Sequence, residues 1–449
     1  MQRAQVFEEL SLRLRPDGKG AYITEVVQSP YGCRNVSFNL RDLGFPLEAI
    51  PESLTMAVQG GTSTGRDLRS KPSTASGLKS SLTPQQIGGA LFQALFHDDL
   101  LRTFLLCLGR MESRPDHGLR IRLAFDPTEP ELRKLIALPW ELLYRSETRD
   151  FLSRNPLTPV VRYLEVPRLT APADPGDRLR ILVALASPRD LATLNLEREC
   201  LQMKEALSRN PRIEARFLDH PTPAMLRSAL QDSEFHVFHY MGHGGRDAAT
   251  GEGFLLFEDS RGYSQPVPGA VLGEALKGGP RLRFVFLNAC RTAQIQRDGG
   301  DPFAMMASSL VLAGVPAITA MQFPISDAAA LLFSQRLYEA LASGFSVDAA
   351  VAEARLAIHL ASPASMEWII PALYMSIPDG RILLASTMNQ ESSDRMDTSS
   401  KDHQKASNVG TLVTDQGTVG GPDSVVLGGS GYVVQGGIHF GRSSRNESK

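Results

Sequence analysis

The sequence lacks the features that mark several large classes of protein. Only four of its 449 residues are cysteines, they form no CxxC pair, and no apolar run is long enough to span a bilayer. Basic and acidic residues number 47 and 49, for a net charge of −2. These absences argue against a disulfide framework, a metal site, a membrane protein and attraction to nucleic acid. The first twenty residues also lack the apolar centre of a signal peptide.

Two short segments contain the side chains with the clearest chemistry. The first is FHVFHYMGHGG (235–245) and the second is FVFLNACR (284–291). Each is an apolar run of strand length that ends in a reactive side chain, His243 in one and Cys290 in the other. Ligands gather outside the carboxyl ends of strands in an open parallel sheet. The two segments therefore predict an imidazole base beside a thiol, which is what a cysteine nucleophile needs.

The region from residue 179 onward alternates between strand-like and helix-like segments. LRILVALA (179–186) and PAITAMQF (316–323) read as buried strands, and DAAALLFSQRLYEALASG (327–344) as an amphipathic helix. Such alternation predicts an α/β fold with a mainly parallel sheet that is covered by helices on both faces. With four widely spaced cysteines and no secretion signal, we expect a cytoplasmic protein whose thiols stay free, with no cofactor.

Composition divides the chain into four parts. Residues 1–115 predict an N-terminal lobe of strands and helices, in which the small and polar stretch 56–82 reads as a loop. Residues 116–385 form the main domain, with its core at 179–385, and the Pro- and Asp-rich stretch 162–178 reads as a connection. Residues 386–408 are rich in Ser, Asp and Lys and predict a disordered linker. Residues 409–449 form a tail whose Gly-rich, uncharged and β-prone part is 409–441.

Each reactive residue also has a simpler interpretation. A cysteine at a strand end is usually a small buried apolar residue. Cys290, however, is followed by a polar, Gly-containing stretch, and His243 lies among Gly242, Gly244 and Gly245, which allow close backbone approach. His236 and His239 lie earlier on the same segment, and we interpret them as satisfied core or interface histidines.

The chemistry of this pair is that of acyl transfer. A free thiol is only a few per cent thiolate at neutral pH, and a neighbouring imidazole can take its proton. The thiolate then attacks a carbonyl, and the imidazolium protonates the leaving amine. Backbone N–H groups of Gly244 and Cys290 are candidate donors to the oxyanion.

Several segments together resemble the CHAT domain, a caspase- and separase-like family of cysteine peptidases common in bacteria. They are IALPWELLY (136–144), FHYMGHGG (238–245), VFLNACRTA (285–293) and DPFAMMASSLVLAGVPAITAMQFPISD (301–327). The resemblance covers roughly residues 115–385. It implies a caspase-like three-layer α/β/α sandwich, a His243–Cys290 dyad and an oxyanion donor at Gly244. It also implies a protein substrate and control by partners in signalling or defence.

The specificity pocket is harder to locate from the sequence. Relatives that prefer basic residues use acidic pocket walls, and Asp259 and Asp327 are the two candidates for this substrate-binding role. A turn residue at Asp259 and a helix N-terminus at Asp327 are the competing interpretations.

The tail suggests a route to assembly. YVVQGGIHFG (432–441) resembles short amyloid-signalling motifs of bacterial immune proteins, although the apolar residue expected after Val434-Gln435 is replaced by glycine. A sensor or receptor protein could then recruit the peptidase by self-assembly through 409–441. A flexible Gly-rich end is the simpler interpretation. The leading functional hypothesis is a cysteine endopeptidase, and the alternative is a non-catalytic scaffold that assembles through this tail.

Overall fold

The computed structural model describes residues 6–384 apart from 33–34, 63–81, 115–116, 168–169, 175, 192–195, 233, 248 and 292–301. Of residues 59–62, 290–291 and 302 it describes the backbone. Met1–Glu391 form one compact unit. The linker and tail predicted at 386–449 lie outside the described residues, as does the stretch that follows Arg291.

The elements of the described residues have the following bounds. The helices are α1 (Ala49–Thr62), α2 (Pro84–Leu95), α3 (Asp98–Glu112), α4 (Arg133–Ile136), α5 (Leu196–Ser208), α6 (Pro223–Asp232), α7 (Gly269–Leu276), α8 (Pro302–Leu312), α9 (Asp327–Ala342) and α10 (Val347–Ala361). The strands are β1 (Val6–Pro16), β2 (Tyr22–Gln28), β3 (Val36–Phe38), β4 (His117–Phe125), β5 (Tyr144–Arg145), β6 (Asp150–Phe151), β7 (Val160–Leu164), β8 (Leu179–Leu185), β9 (Ile213–Asp219), β10 (Val237–Arg246), β11 (Gly253–Glu258), β12 (Ser264–Pro268), β13 (Phe284–Arg291), β14 (Ala317–Met321) and β15 (Pro371–Met375).

One mixed sheet of 13 strands runs through the described residues in the order β12-β11-β10-β13-β14-β15-β7-β4-β1-β2-β3. β8 pairs with the first half of β10, and β9 pairs with β8. The central neighbours β8, β10, β13 and β14 are all parallel. β8, β10 and β14 are buried almost throughout, which is why they read as continuous apolar runs.

Helices cover both faces of this sheet. On one face Phe333 of α9 packs against Phe286 of β13, with tilted rings whose centroids are 5.5 Å apart. On the other face Phe303 of α8 lies directly against Gly244 of β10. The predicted α/β class with a mainly parallel sheet is therefore confirmed.

The sheet continues across the predicted domain boundary at residue 115. β1 runs parallel to β4 in unbroken register from Val6↔His117 to Arg13↔Ala124. Glu9 of β1 accepts hydrogen bonds from Arg120 and Arg122 of β4, at 3.1 and 2.7 Å. The strands at the start of the chain thus extend the sheet of the main domain.

Three local predictions need correction. Residues 56–62 are the last turns of α1 and not loop, while 63–81 lie outside the described residues. The single helical region predicted at 84–111 is two helices that meet at Phe96 and His97. The connecting stretch 162–178 begins inside β7, which pairs with β4 and β15. In the last case burial in the sheet overrides the local composition, since four of the five residues of β7 are buried.

A buried carboxylate ties the two halves of the sheet together. Glu141 lies between α4 and β5, is 1% exposed, and makes a two-pronged ion pair with Arg162 of β7. Arg355 of α10 approaches the same carboxylate at 3.3 Å, and Gln322, which follows β14, donates to it at 3.1 Å. Burial alone would raise the pKa of Glu141, but the two guanidinium groups hold that pKa below its ordinary value.

Removing this carboxylate should destabilise the fold strongly. Glu141→Ala leaves Arg162 and Arg355 buried without their counter-charge, so we expect a loss of about 3–5 kcal/mol in the free energy of unfolding. Urea denaturation measures it. The control is Arg209→Ala, which breaks an exposed pair with Glu205 and should cost about 0–1 kcal/mol. A Glu141→Ala loss as small as that of the control would contradict this account.

Candidate active site

Two neighbouring strands bring the predicted reactive residues to the same place. β10 and β13 are parallel and in register from Val237↔Phe284 to Gly244↔Arg291, and His243 is paired with Cys290. Residues in register on adjacent strands share a face of the sheet, with backbones about 4.8 Å apart. His243 itself is buried, with 1% of its surface exposed. The two residues therefore lie side by side at the carboxyl ends of their strands.

The backbone of His243 is held from the opposite face. The Tyr240 hydroxyl lies 2.9 Å from the His243 carbonyl oxygen and 2.7 Å from that of Leu256 in β11. This hydroxyl occupies the space beside Gly242, because a Cβ there would lie 2.6 Å from it. Glycine at 242 thus makes room for the phenol that fixes the His243 peptide. Tyr240 is not among the predicted site residues, although Tyr and Gly two residues apart on a strand must share a face.

The two glycines after His243 also make room for aromatic rings. A Cβ on Gly244 would lie 2.9 Å from the ring of Phe303 in α8. A Cβ on Gly245 would lie 2.6 Å from the ring of Phe254 in β11. Gly244 is paired with both Arg291 and Leu255, so the predicted oxyanion donor stands where β13 and β11 flank β10.

The earlier histidines of β10 have other surroundings. His236 accepts the Arg180 amide at Nδ1, so its Nε2 carries the proton and donates to the Asp174 carbonyl at 3.1 Å. His239 is buried between Phe286 and Tyr338, and within the described residues neither of its ring nitrogens has a hydrogen-bond partner. Burial lowers the pKa of His239 to about 3, so this ring is neutral at physiological pH.

The two acidic pocket candidates are placed differently. Asp259 follows β11, and its carboxylate accepts the amides of Tyr263 and Arg261 at 2.9 and 2.8 Å. These hydrogen bonds lower the pKa of Asp259 and give the carboxylate a role in the turn before β12. Asp327 is the exposed first residue of α9, where the Ser326 hydroxyl caps the helix by accepting the Ala329 amide at 3.3 Å.

Asp327 has an acidic neighbour that the sequence analysis did not predict. Glu199 of α5 is close enough to hydrogen-bond with it, and burial together with the Asp327 charge raises the pKa of Glu199 to about 7. α5 and α9 both follow the carboxyl ends of central strands, so this pair lies at the same edge of the sheet as His243. No sequence pattern pairs two residues more than a hundred positions apart, and only the α5–α9 packing does so.

This pair should make stability depend on pH near neutrality. The pKa of Glu199 is raised in the folded chain from an ordinary value of 4.5, so its contribution to stability is complete below pH 4.5 and is lost as pH rises through about 7. We expect Glu199→Gln to remove this dependence and to unfold at a higher temperature than wild type at pH 8.5. The measurement is the unfolding temperature of each protein between pH 5.5 and 8.5.

Glu197→Gln, at an exposed position in the same turn, is the control and should keep the pH dependence of wild type. Unfolding temperatures that change with pH in the same way for wild type and Glu199→Gln would contradict this prediction.

Other kinds of site are not found in the described ranges. No group of three or more His, Cys, Asp or Glu side chains there could hold a metal ion. None of the helices in this part of the chain combines the length and apolar character that crossing a bilayer requires. Cys107 and Cys200 are free but buried in α3 and α5, so neither shares the position of Cys290 at a strand end.

The fold and this strand pair define an α/β protein with histidine and cysteine on adjacent parallel strands. A model of the CHAT domain family matches residues 85–380, more than half of the chain, and the protein belongs to this family. The match begins at α2, so it includes helices that the sequence analysis assigned to a separate N-terminal lobe.

Solved structures similar to this chain include two crystal structures of the Saccharomyces cerevisiae separase–securin complex, at 2.6 and 3.0 Å resolution. Both matches have a TM-score of 0.33 and cover 65% of this chain, with 14% and 15% sequence identity. They span 19% and 18% of the separase chain, so most of that protein has no counterpart here. No curated protein matches the chain significantly.

Proposed function

We propose that this protein is a cysteine endopeptidase in which His243 and Cys290 form the catalytic dyad. The observation that supports this most strongly is the register of β10 and β13, which pairs the two residues at the carboxyl ends of adjacent parallel strands. Membership of the CHAT family, which contains caspase-like peptidases, supports the same conclusion. The substrate would be another protein, as the likeness to caspase-like peptidases of the CHAT family implies.

The proposed reaction has two halves. The His243 imidazole takes the thiol proton, and the Cys290 sulfur attacks the carbonyl carbon of the scissile peptide bond. The imidazolium then protonates the leaving amine as the C–N bond breaks, which gives a thioester on Cys290 and a new N-terminus. In the second half His243 takes a proton from water, and the hydroxide adds to the thioester carbonyl. The C–S bond then breaks, the Cys290 sulfur takes the proton back from His243, and the substrate leaves with a new carboxyl group.

The oxyanion and the substrate need partners of their own. We assign oxyanion donation to the backbone N–H groups of Gly244 and Cys290, whose strand positions are adjacent. Of the two acidic candidates, Asp327 keeps an exposed carboxylate at this edge, whereas Asp259 is engaged in its own turn. Asp327 is therefore the stronger candidate for contact with a basic substrate side chain.

The dyad is tested by single and double substitutions. We expect Cys290→Ala and His243→Ala each to lower cleavage by at least about 10²–10⁴-fold, and the double variant to be no worse than the more severe single one, because the pair acts as a unit. The measurement is an unbiased comparison of new protein termini in cells that express each variant. Cys107→Ala and Cys200→Ala, at the two buried helical cysteines, are the controls.

The same experiment separates this function from its alternative. If new termini in wild-type cells persist in Cys290→Ala, the chemistry lies elsewhere. If wild type produces no termini beyond those of Cys290→Ala under activating conditions, the protein is a non-catalytic scaffold.

We further propose a cytoplasmic role in which a sensor or receptor protein recruits the peptidase through residues 409–441. Ten glycines, seven valines and only two charged residues are a composition that stacks as strands from many copies. The peptide 409–449 should form thioflavin-positive fibrils, and its Val434→Asp variant should not, because stacking would bury a column of like charges. A wild-type peptide that stays soluble, alone and with seeds from a partner, would return the tail to a flexible end.

A further inference from the structure

The segment between β14 and α9 is held at both of its ends by buried carboxylates. At its start, the Gln322 amide group donates to Glu141 at 3.1 Å and to the Ile369 carbonyl at 3.3 Å. At its end, the Ser326 backbone N–H donates to Glu367 at 2.6 Å. Hydrogen bonds to charged acceptors are roughly twice as strong as neutral ones. The three residues between these points, Phe323-Pro324-Ile325, therefore have a fixed path.

The strand order places this segment on one side of Cys290. β13 and β14 are paired in parallel from Phe284↔Ala317 to Leu287↔Ala320, and β14 ends at Met321, directly before the segment. β13 is flanked by β10 on one side and by β14 on the other. His243 at the end of β10 and the segment after β14 therefore lie on opposite sides of Cys290 at the same edge of the sheet.

The surface that this segment presents is apolar. Phe323 and Ile325 are half-buried and pack against the hydrophobic core, and Pro324 is exposed. Proline also removes one backbone donor and fixes φ, which further limits the segment's conformations. A peptide that binds at this edge of the sheet can therefore contact these three residues.

Glu367 has its own support and faces the segment from a separate part of the chain. It is 5% exposed and precedes β15, and its second oxygen accepts the Ser365 hydroxyl at 3.2 Å. The Ser365 oxygen in turn accepts the Glu367 amide at 3.1 Å. These two hydrogen bonds with Ser365 hold the Glu367 carboxylate in the position from which it accepts the Ser326 amide.

We propose that Phe323-Pro324-Ile325 is an apolar wall of the substrate cleft and that Glu367 is the residue that positions it. This inference rests on the proposed peptidase function and adds a specificity element to the same site. The wall takes an apolar side chain of the substrate peptide close to the scissile bond. Asp327, four residues after Phe323, borders the same wall, so a preference for lysine in the test below would point to Asp327 instead.

The test uses peptidyl chloromethyl ketones, which alkylate a cleft thiol whether or not the natural substrate is known. Four-residue probes carry Leu, Lys or Asp at either of the two positions next to the ketone. The rate of alkylation at Cys290 is measured by mass spectrometry in the full-length protein and is divided by the rate with iodoacetamide. We expect the Leu probe to give the highest ratio in wild type.

Variants assign that preference to the wall. Ile325→Asp should lower the Leu-probe ratio by about tenfold or more, which is the effect of an apolar substrate contact. Val271→Asp, at an exposed apolar position on α7, should leave it unchanged. Glu367→Ala should lower the Leu-probe ratio without changing the iodoacetamide rate. Glu367→Gln should keep the wild-type ratio, because an amide oxygen can still accept the Ser326 N–H.

Two results would overturn the proposal. One is a wild-type ratio that is the same for Leu, Lys and Asp probes or highest for Lys. The other is a Leu-probe ratio that survives both Ile325→Asp and Glu367→Ala. Failure of the peptidase function itself is a different result, in which iodoacetamide alkylates Cys290 no faster than the buried Cys107 and Cys200.

Discussion

The buried carboxylate of Glu141 is the interaction on which the rest of the fold depends. Removing an ion from water costs several kcal/mol, and this cost is recovered only when the partners are placed with good geometry. Here the partners are Arg162 of β7, Arg355 of α10 and Gln322 after β14. The carboxylate therefore constrains three elements that are distant in sequence. It fixes the middle of the sheet, where the strands of the chain's first half meet those that follow residue 179.

This constraint extends to the edge where the chemistry is proposed. Gln322 follows the last residue of β14, so its bond to Glu141 holds the end of that strand. β14 is the parallel neighbour of β13, which ends with Cys290 and Arg291, and β13 is the parallel neighbour of β10. The placement of Cys290 beside His243 is therefore a property of the central sheet.

The sequence predicted the parts of this structure that follow from local pattern. Apolar runs that end in His243 and Cys290 are sufficient to place both residues at one edge of the sheet, because parallel strands have their carboxyl ends at the same edge. That the two strands are neighbours is known from their register. The sequence could not predict that Glu199 meets Asp327, or that Glu367 meets the Ser326 amide, since these contacts depend on how helices pack across a sheet. Strands from both sides of the boundary predicted at residue 115 also pair in one sheet. Composition changes near that position, but the register of β1 with β4 depends on a pairing over more than a hundred residues.

The end of β10 is confined on both faces of the sheet, and this limits how far the strand can move. Tyr240 fills the space at Gly242, Phe303 fills that at Gly244, and Phe254 fills that at Gly245. A strand whose glycines are covered by aromatic rings has little room to shift, because protein interiors are close-packed. The imidazole of His243 is therefore held by a rigid backbone. Control of the proposed activity would then act on the access of substrate to the cleft and not on the strand that carries the histidine.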